Sequence, residues 1–476
     1  MKTRLANFID GKFCPPVSAG YFNDIEPASG ECIAEIPDSD ERDIDAAARG
    51  ARNAFPSWSR TPIADRSRLL LRLADLVEQN AEELAQLESR DSGKAITLAR
   101  KLDIPRAVSN FRFFGTAILH FASEAHVTDA SALNYTLRQP IGVAGLISPW
   151  NLPLYLLSWK IAPAIAAGNT CIAKPSELTP LTANRLAELS IDAGIPAGVI
   201  NIVHGYGQKA GRALAAHDDV PVISFTGGTV TGAAIAANAA PRFKKLSLEL
   251  GGKNPNLIFA DADLDDAITT SIRSSFWNQG EICLCGSRIF VERSIFGQFV
   301  ERFVAATKKL RVGDPSDETT DVGALISEAH AAKVTGYIDL AKHEGGKVAT
   351  GGKRLDRRGF FVEPTVITGL SCDCRVLQEE IFGPVVTITP FDREDEAIAF
   401  ANSTRYGLSA TLWTRDLQRA HRVAAAIDCG TVWINCWLLR DLRVPFGGMK
   451  ESGVGREGGF ESLNFFTEMK NVCVKL

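Results

Sequence analysis

The chain has 476 residues, 45% of them hydrophobic and 23% charged, with a formal net charge of −4. That balance is ordinary for a globular protein with a large core, and at roughly 150 residues per domain it predicts about three domains. A slightly acidic chain without a dense Lys/Arg run excludes nucleic acid and anionic membranes as expected partners. The start, Met1 to Asn7, has no long apolar stretch, so no signal peptide is expected. Asp43 to Phe55 and Ala64 to Glu88 carry apolar residues at helical spacing. Val143 to Ile147 reads as a buried strand. The apolar run from Ile147 to Trp159 is too short to span a bilayer and is interrupted by Pro149, Asn151 and Pro153. It reads as a buried strand and loop. Trp159 to Ala167 reads as a helix, Thr170 to Ala173 as a strand and Leu181 to Ala193 as a helix. Val199 to Val203 and Val222 to Phe225 are short β-rich runs. Strand, helix, strand at this pitch predicts a parallel sheet with crossover helices, and the rhythm returns after residue 250. The tail, Phe465 to Val474, ends in a strand-like run expected to pair with another element of this chain or of a partner subunit.

Ten cysteines are scattered along the chain without a compact disulfide framework, which fits free thiols in a reducing, cytoplasmic setting. Cys283/Cys285 and Cys372/Cys374 form CxC pairs, but no second pair or histidine stands at zinc spacing, so no metal is expected.

Phe225-Thr226-Gly227-Gly228-Thr229-Val230-Thr231-Gly232 follows a strand and opens a helix over Ala233 to Ala240. Glycines at such a turn let backbone N–H groups approach a phosphate, and the helix N-terminus favours the anion. The run is neither a G-x-G-x-x-G fingerprint nor a P-loop, so phosphoryl transfer is not expected. Lys174-Pro175-Ser176-Glu177 lies at a strand end. A carboxylate there can accept from both ribose hydroxyls of NAD and would repel a 2′-phosphate. Glu249, in Leu248-Glu249-Leu250-Gly251-Gly252, sits in apolar surroundings that would raise its pKa toward the range of a general base. Cys283 follows in Gly280-Glu281-Ile282-Cys283. Taken alone, each of these residues has a structural explanation as well: a tight turn, a surface loop, a paired acid, a buried thiol.

In combination they resemble the aldehyde dehydrogenase superfamily over nearly the whole chain. The motifs, in order, are Pro149-Trp150-Asn151-x-Pro153, Lys174 to Glu177, Phe225 to Gly232, Glu249 to Gly252, Gly280-x-x-Cys283 and Glu380-Ile381-Phe382-Gly383-Pro384. Pro445 to Gly448 and Ser452-Gly453-x-Gly455-Arg456-Glu457 close the set. The resemblance implies NAD as cofactor, Cys283 as nucleophile, and Asn151 with the Cys283 N–H as oxyanion donors. It implies Glu249 as the base that activates the deacylating water. It places Trp150, Lys174, Glu177, Gly227, Gly228, Gly232, Glu380 and Phe382 around the cofactor, and Lys160 and Glu457 as buried charges nearby. Gly228 stands where many relatives carry Ser. The implied fold is α/β: a Rossmann-like NAD-binding domain (1–117 and 141–250), an α/β catalytic domain (251–450) and a small β oligomerisation domain (118–140 and 451–476). A homodimer or homotetramer is implied.

Within the superfamily the chain is similar to the 2-aminomuconate and 2-hydroxymuconate semialdehyde dehydrogenases. The residues carrying this are Asp103 to Arg106, Asn110 to Phe114, Leu152 to Lys160 and Asn435 to Arg440. Such a substrate carries a carboxylate at the end opposite the aldehyde, which calls for a cationic clamp. The resemblance places Arg106 and Arg440 there. Three alternatives share the scaffold: a betaine-aldehyde or broad-specificity dehydrogenase, a CoA-acylating enzyme, and a non-catalytic protein. The presence of Glu249 disfavours the CoA-acylating enzyme, and the intact Asn151, Glu249 and Cys283 disfavour the last.

Overall fold

The computed structural model describes residues 3–476. Asp40 caps the first long helix, Glu41–Trp58: its carboxylate accepts from Arg42 N–H, and Asp43 accepts in return from Asp40 N–H. The helical spacing over 64–88 resolves into two helices, Ile63–Gln79 and Ala81–Ser92. Asn80 separates them because its amide donates to Leu76 O at 2.8 Å, competing with the helical pattern.

An eight-stranded sheet forms the first layer. Five of its strands are parallel, in the spatial order Lys245–Glu249, Val222–Thr226, Val143–Ile147, Thr170–Lys174, Ile200–Ile202. Antiparallel strands extend both edges: Gly453–Val454 on one, Asn7–Ile9 and Lys12–Cys14 on the other. The parallel strands begin at Val143–Ile147, build outward one way to Ile200–Ile202, then resume on the other side at Val222–Thr226. The reversal falls between Val143–Ile147 and Val222–Thr226, and the crevice beyond the carboxyl ends of such strands is where open α/β sheets bind ligands. Val143–Ile147 is buried at every residue, as a central parallel strand requires. Gly145 allows the close packing there, since a Cβ would stand 2.7 Å from Ile223 Cδ1.

One expectation is corrected. The apolar run after Ile147 is a loop only as far as Leu152, and the helix Pro153–Ala166 begins inside it. Pro153 occupies the first turn, where a missing N–H costs nothing. The helix is buried nearly all round, so no polar stripe betrays its period. The helix after the glycine loop likewise starts earlier than expected, at Thr229, with Gly228 as its N-cap.

The second sheet has seven strands, in the order Lys347–Thr350, Thr365–Thr368, Val385–Phe391, Arg288–Glu292, Pro255–Ile258, Ser409–Trp413, Thr431–Ile434. All pairs but the first are parallel. The last strand, Thr467–Lys475, runs antiparallel to Ala132–Pro140 along its whole length, and Ala125–Thr128 completes a small exposed sheet. Among the described residues, no helix is long and apolar enough to cross a membrane.

Candidate active site

Loops from both sheets meet at Cys283. From the first sheet come Ser148 to Asn151, which follow the strand ending at Ile147, then Gly227 and Gly228 after Thr226, and Glu249 at the end of its own strand. From the second come Cys283, in the loop before Arg288–Glu292, and Glu380 to Phe382, which precede Val385–Phe391. Cys283 lines two cavities at once. One is a cleft bounded by Trp150, Asn151, Gly227, Gly228, Glu380 and Phe382. The other is a mostly apolar chamber walled by Leu102, Leu152, Tyr155, Leu156, Trp159, Ile282, Leu284, Leu438, Arg440 and Phe446, with Glu249 and Glu457 among its lining groups.

The cleft combines a helix N-terminus, closely packed glycines and a buried carboxylate. The helix Thr229–Ala239 directs its N-terminus at Gly228, and a Cβ on Gly228 would meet nothing within 4 Å. Gly232, by contrast, lets that helix close on the strand loop, because a Cβ would stand 2.5 Å from Leu250 Cδ2. The hydroxyls of Thr226 and Thr229 are buried without a partner, poised for a bound group. Glu380 accepts from Gly252 N–H at 2.8 Å, and a Cβ on Gly251 would collide with its other oxygen. The paired glycines after Glu249 are therefore what admits the Glu380 carboxylate. Phe382 adopts a left-handed backbone, φ 62°, with its carbonyl 2.6 Å from His330 Nε2 and its ring edge-on to Trp150 at 5.4 Å. A bulky residue in that region is strained, and strain of this kind persists where surroundings enforce it. Lys174, the last residue of its strand, is buried 3.3 Å from Glu177 in the loop that follows, and Glu177 also lies 3.4 Å from Gly207 N–H. These groups suit the phosphates and ribose of a dinucleotide.

At the junction, burial and the nearby Glu249 and Glu380 carboxylates push the Cys283 thiol up to about 12, opposed by Arg440. The thiol is thus protonated at neutral pH in the ligand-free site. Burial, then repulsion from Glu457, holds the Glu249 carboxyl well above its usual range. One Glu249 oxygen is buried with no partner. Behind it Lys160 donates to Ser224 Oγ at 2.8 Å and to Glu457 at 3.0 Å, while Ser224 donates to the same Glu457 oxygen. Asn151 donates one amide N–H to Glu281 O at 2.8 Å. An amide has two such hydrogens, so one is left for a ligand.

Three consecutive residues before the cysteine, Asn278, Gln279 and Gly280, have φ of 50°, 56° and 73°. Gly280 is obligatory, since a Cβ would lie 2.3 Å from Gly383 O. This turn sends the Glu281 side chain inward and Cys283 toward the cavities.

Sequence reasoning missed the support beneath Asn151. Lys94, fully buried, donates to Asn151 O at 2.9 Å and to Asp103 at 2.6 Å. Asn278 donates to the same Asn151 carbonyl at 3.0 Å. Asp103 reaches Lys94 from a π-helical turn, Ala99–Asp103, which also presents Leu102 to the chamber. A second π-helical turn, Gly207–Gly211, faces Glu177 and Lys174. Such turns concentrate at functional sites but have no residue signature. A buried Lys within ten residues of a buried Asp was the available signal, though burial itself is invisible in one sequence.

Of the two arginines expected to clamp a carboxylate, Arg440 lines the chamber, donates to Tyr155 Oη at 3.1 Å and stacks on Phe446 at 3.9 Å. Arg106 stands outside the chamber's lining, with its guanidinium 5.5 Å from the centre of the Tyr155 ring.

The fold and the site define a member of the aldehyde dehydrogenase family: that family's pattern matches residues 14–472, and the chain belongs to it. It is 55% identical over 480 aligned residues to a 2-aminomuconic semialdehyde dehydrogenase of Danio rerio, covering 99% of this chain and 98% of that one. It is 47% identical to a 2-hydroxymuconic semialdehyde dehydrogenase of Pseudomonas sp. strain CF600, covering 99% of each. Among solved structures it superimposes with a TM-score of 0.98 on the NAD+ complex of an aldehyde dehydrogenase from Bacillus cereus, 41% identical, over 99% of this chain and 97% of that one.

Proposed function

We propose that this enzyme oxidises a semialdehyde acid of the 2-aminomuconate or 2-hydroxymuconate type to the dicarboxylate, with NAD as cofactor. The observation that carries the substrate class is the meeting of Arg106 and Arg440 at Tyr155 beside an apolar chamber that ends at Cys283. Arg440 is spent on a phenol and aromatic faces rather than on a carboxylate, which leaves its charge for a ligand. The apolar walls suit an unsaturated carbon chain, and a cation at the far end opposes a trimethylammonium substrate such as betaine aldehyde.

Cys283 Sγ attacks the aldehyde carbon: a C–S bond forms, the carbonyl π pair moves to oxygen, and the thiol proton passes to solvent. The free Asn151 N–H and the Cys283 backbone N–H hold the resulting oxyanion. Glu380, Phe382, Trp150, Lys174, Glu177 and the Gly227–Gly232 loop would hold NAD, which would supply the hydride acceptor. The acyl group then remains on Cys283 as a thioester. Glu249 takes a proton from water, whose oxygen adds to the acyl carbon; the C–S bond breaks and the carboxylate leaves. Glu457 keeps Glu249 basic enough for this, and Lys160 limits the shift.

The exposed sheet of 125–140 and 467–475 supports pairing between subunits of a dimer or tetramer. The segment before it, through Glu457, instead serves the first sheet and the Glu249 site. The ten unpaired cysteines support a reducing, cytoplasmic location.

The test is the pair Arg106→Ala and Arg440→Ala. Each is expected to raise KM strongly for 2-hydroxymuconate semialdehyde and little for a neutral enal of similar size. Equal effects on both substrates would refute the clamp.

A further inference from the structure

Tyr155 stands between the two arginines, and its placement is enforced. It lies in the first turn of Pro153–Ala166 and is 6% exposed. Asn110, fully buried on the helix Ile104–Ala117, donates to Tyr155 O at 3.1 Å and to Ser158 Oγ at 3.0 Å. Arg106 is on that same helix, one turn before Asn110, and lays its guanidinium against the Tyr155 ring. Arg440 approaches from the other side and donates to Tyr155 Oη. The phenol therefore fixes both cations relative to each other and to the chamber that holds Cys283.

The hydrogen bond from Arg440 uses an acceptor lone pair of the phenol. The phenol's own proton has no protein acceptor among the described residues. A buried O–H beside two cations is matched by an anionic oxygen, because burying a donor unpaired carries a desolvation penalty. We propose that Tyr155 is a specificity-determining residue: its O–H is a third donor to the carboxylate at the far end of the substrate, and its ring sets the spacing of the arginine pair. This deepens the semialdehyde-acid reading above and rests on it. A neutral aldehyde offers the phenol no charged acceptor, so Tyr155 discriminates between the two classes without touching the reacting carbon.

Tyr155→Phe keeps the ring and removes only the hydroxyl. Steady-state kinetics with NAD are measured for 2-hydroxymuconate semialdehyde and for a neutral enal of equal length, with adipate as a non-reacting competitive inhibitor. The expected result is a rise of roughly ten- to hundredfold in KM for the acid and in Ki for adipate, as a lost hydrogen bond to a charged group predicts. The acid's KM and adipate's Ki are expected to rise by a clearly larger factor than the neutral enal's KM, with the melting temperature near wild type. If Tyr155→Phe leaves the acid's KM unchanged while Arg440→Ala raises it, the proposal is overturned and the clamp stands. If both substrates weaken equally, Tyr155 only shapes the chamber and the proposal is likewise overturned. If wild type shows no preference for the acid, the substrate reading fails and takes this proposal with it.

Discussion

Glu249→Gln isolates the deacylation step. The substitution keeps the shape of the side chain, and the unpartnered Glu249 oxygen means no hydrogen bond is lost there. What disappears is a base whose pKa is held up by burial and by Glu457. General-base catalysis contributes about 10²–10⁴ in rate, equivalent to about 2.7–5.4 kcal/mol of barrier. Stopped-flow absorbance should show a burst of NADH near one equivalent per Cys283, then a steady rate lower by that factor. In wild type the slow limb should rise with pH through the elevated Glu249 pKa; in the variant that limb should vanish. Stability gives a second sign. A carboxyl whose folded pKa is raised stabilises the fold below its unfolded pKa and loses that contribution as pH rises through the folded value. The variant should therefore melt above wild type at pH 8 and converge with it near pH 4. A variant that turns over at the wild-type rate, or that loses the burst while still binding NAD, would refute the assignment.

Cys283, with its thiol near 12, should be alkylated slowly by iodoacetamide at pH 7 in the ligand-free enzyme, and the rate should climb without a plateau up to pH 10; a plateau near pH 7 would contradict the burial argument. Lys94→Met leaves Asp103 buried without its partner and should cost about 3–5 kcal/mol in denaturant unfolding, with kcat falling more than the KM for NAD; unchanged kcat would show that Asn151 needs no such support. Gly228→Ser should be accommodated without loss of melting temperature and should lower the KM for NAD, whereas Gly232→Ala should raise it by pushing on Leu250; a reversed order would contradict the packing described.

Much of the first sheet was legible because its central strands are short, fully or largely buried and punctuated by Gly and Pro. Val143–Ile147 and Thr170–Lys174 stand out for that reason. The helix from Pro153 was not, since burial on every side erases amphipathic spacing. The motif residues around Cys283 were legible as a set, and the structure gathers them around two adjoining cavities. The Lys94–Asp103 pair, the strained turn Asn278–Gly280 and the π-helical turn Ala99–Asp103 were not. Each depends on long-range packing that forces an uncommon backbone or buries a charge, and neither event leaves a local pattern. Arg106 and Arg440 were expected at one end of the substrate. That Tyr155 lies between them required knowing how two helices and a distant loop converge.

The most direct measurement is NADH formation by the wild-type enzyme with NAD and 2-hydroxymuconate semialdehyde, beside a neutral enal of similar size. The predicted result is a kcat/KM for the acid well above that for the enal. Comparable values for the two would contradict the arginine clamp, and an absence of NADH with either, in enzyme that binds NAD, would contradict the semialdehyde-acid substrate reading.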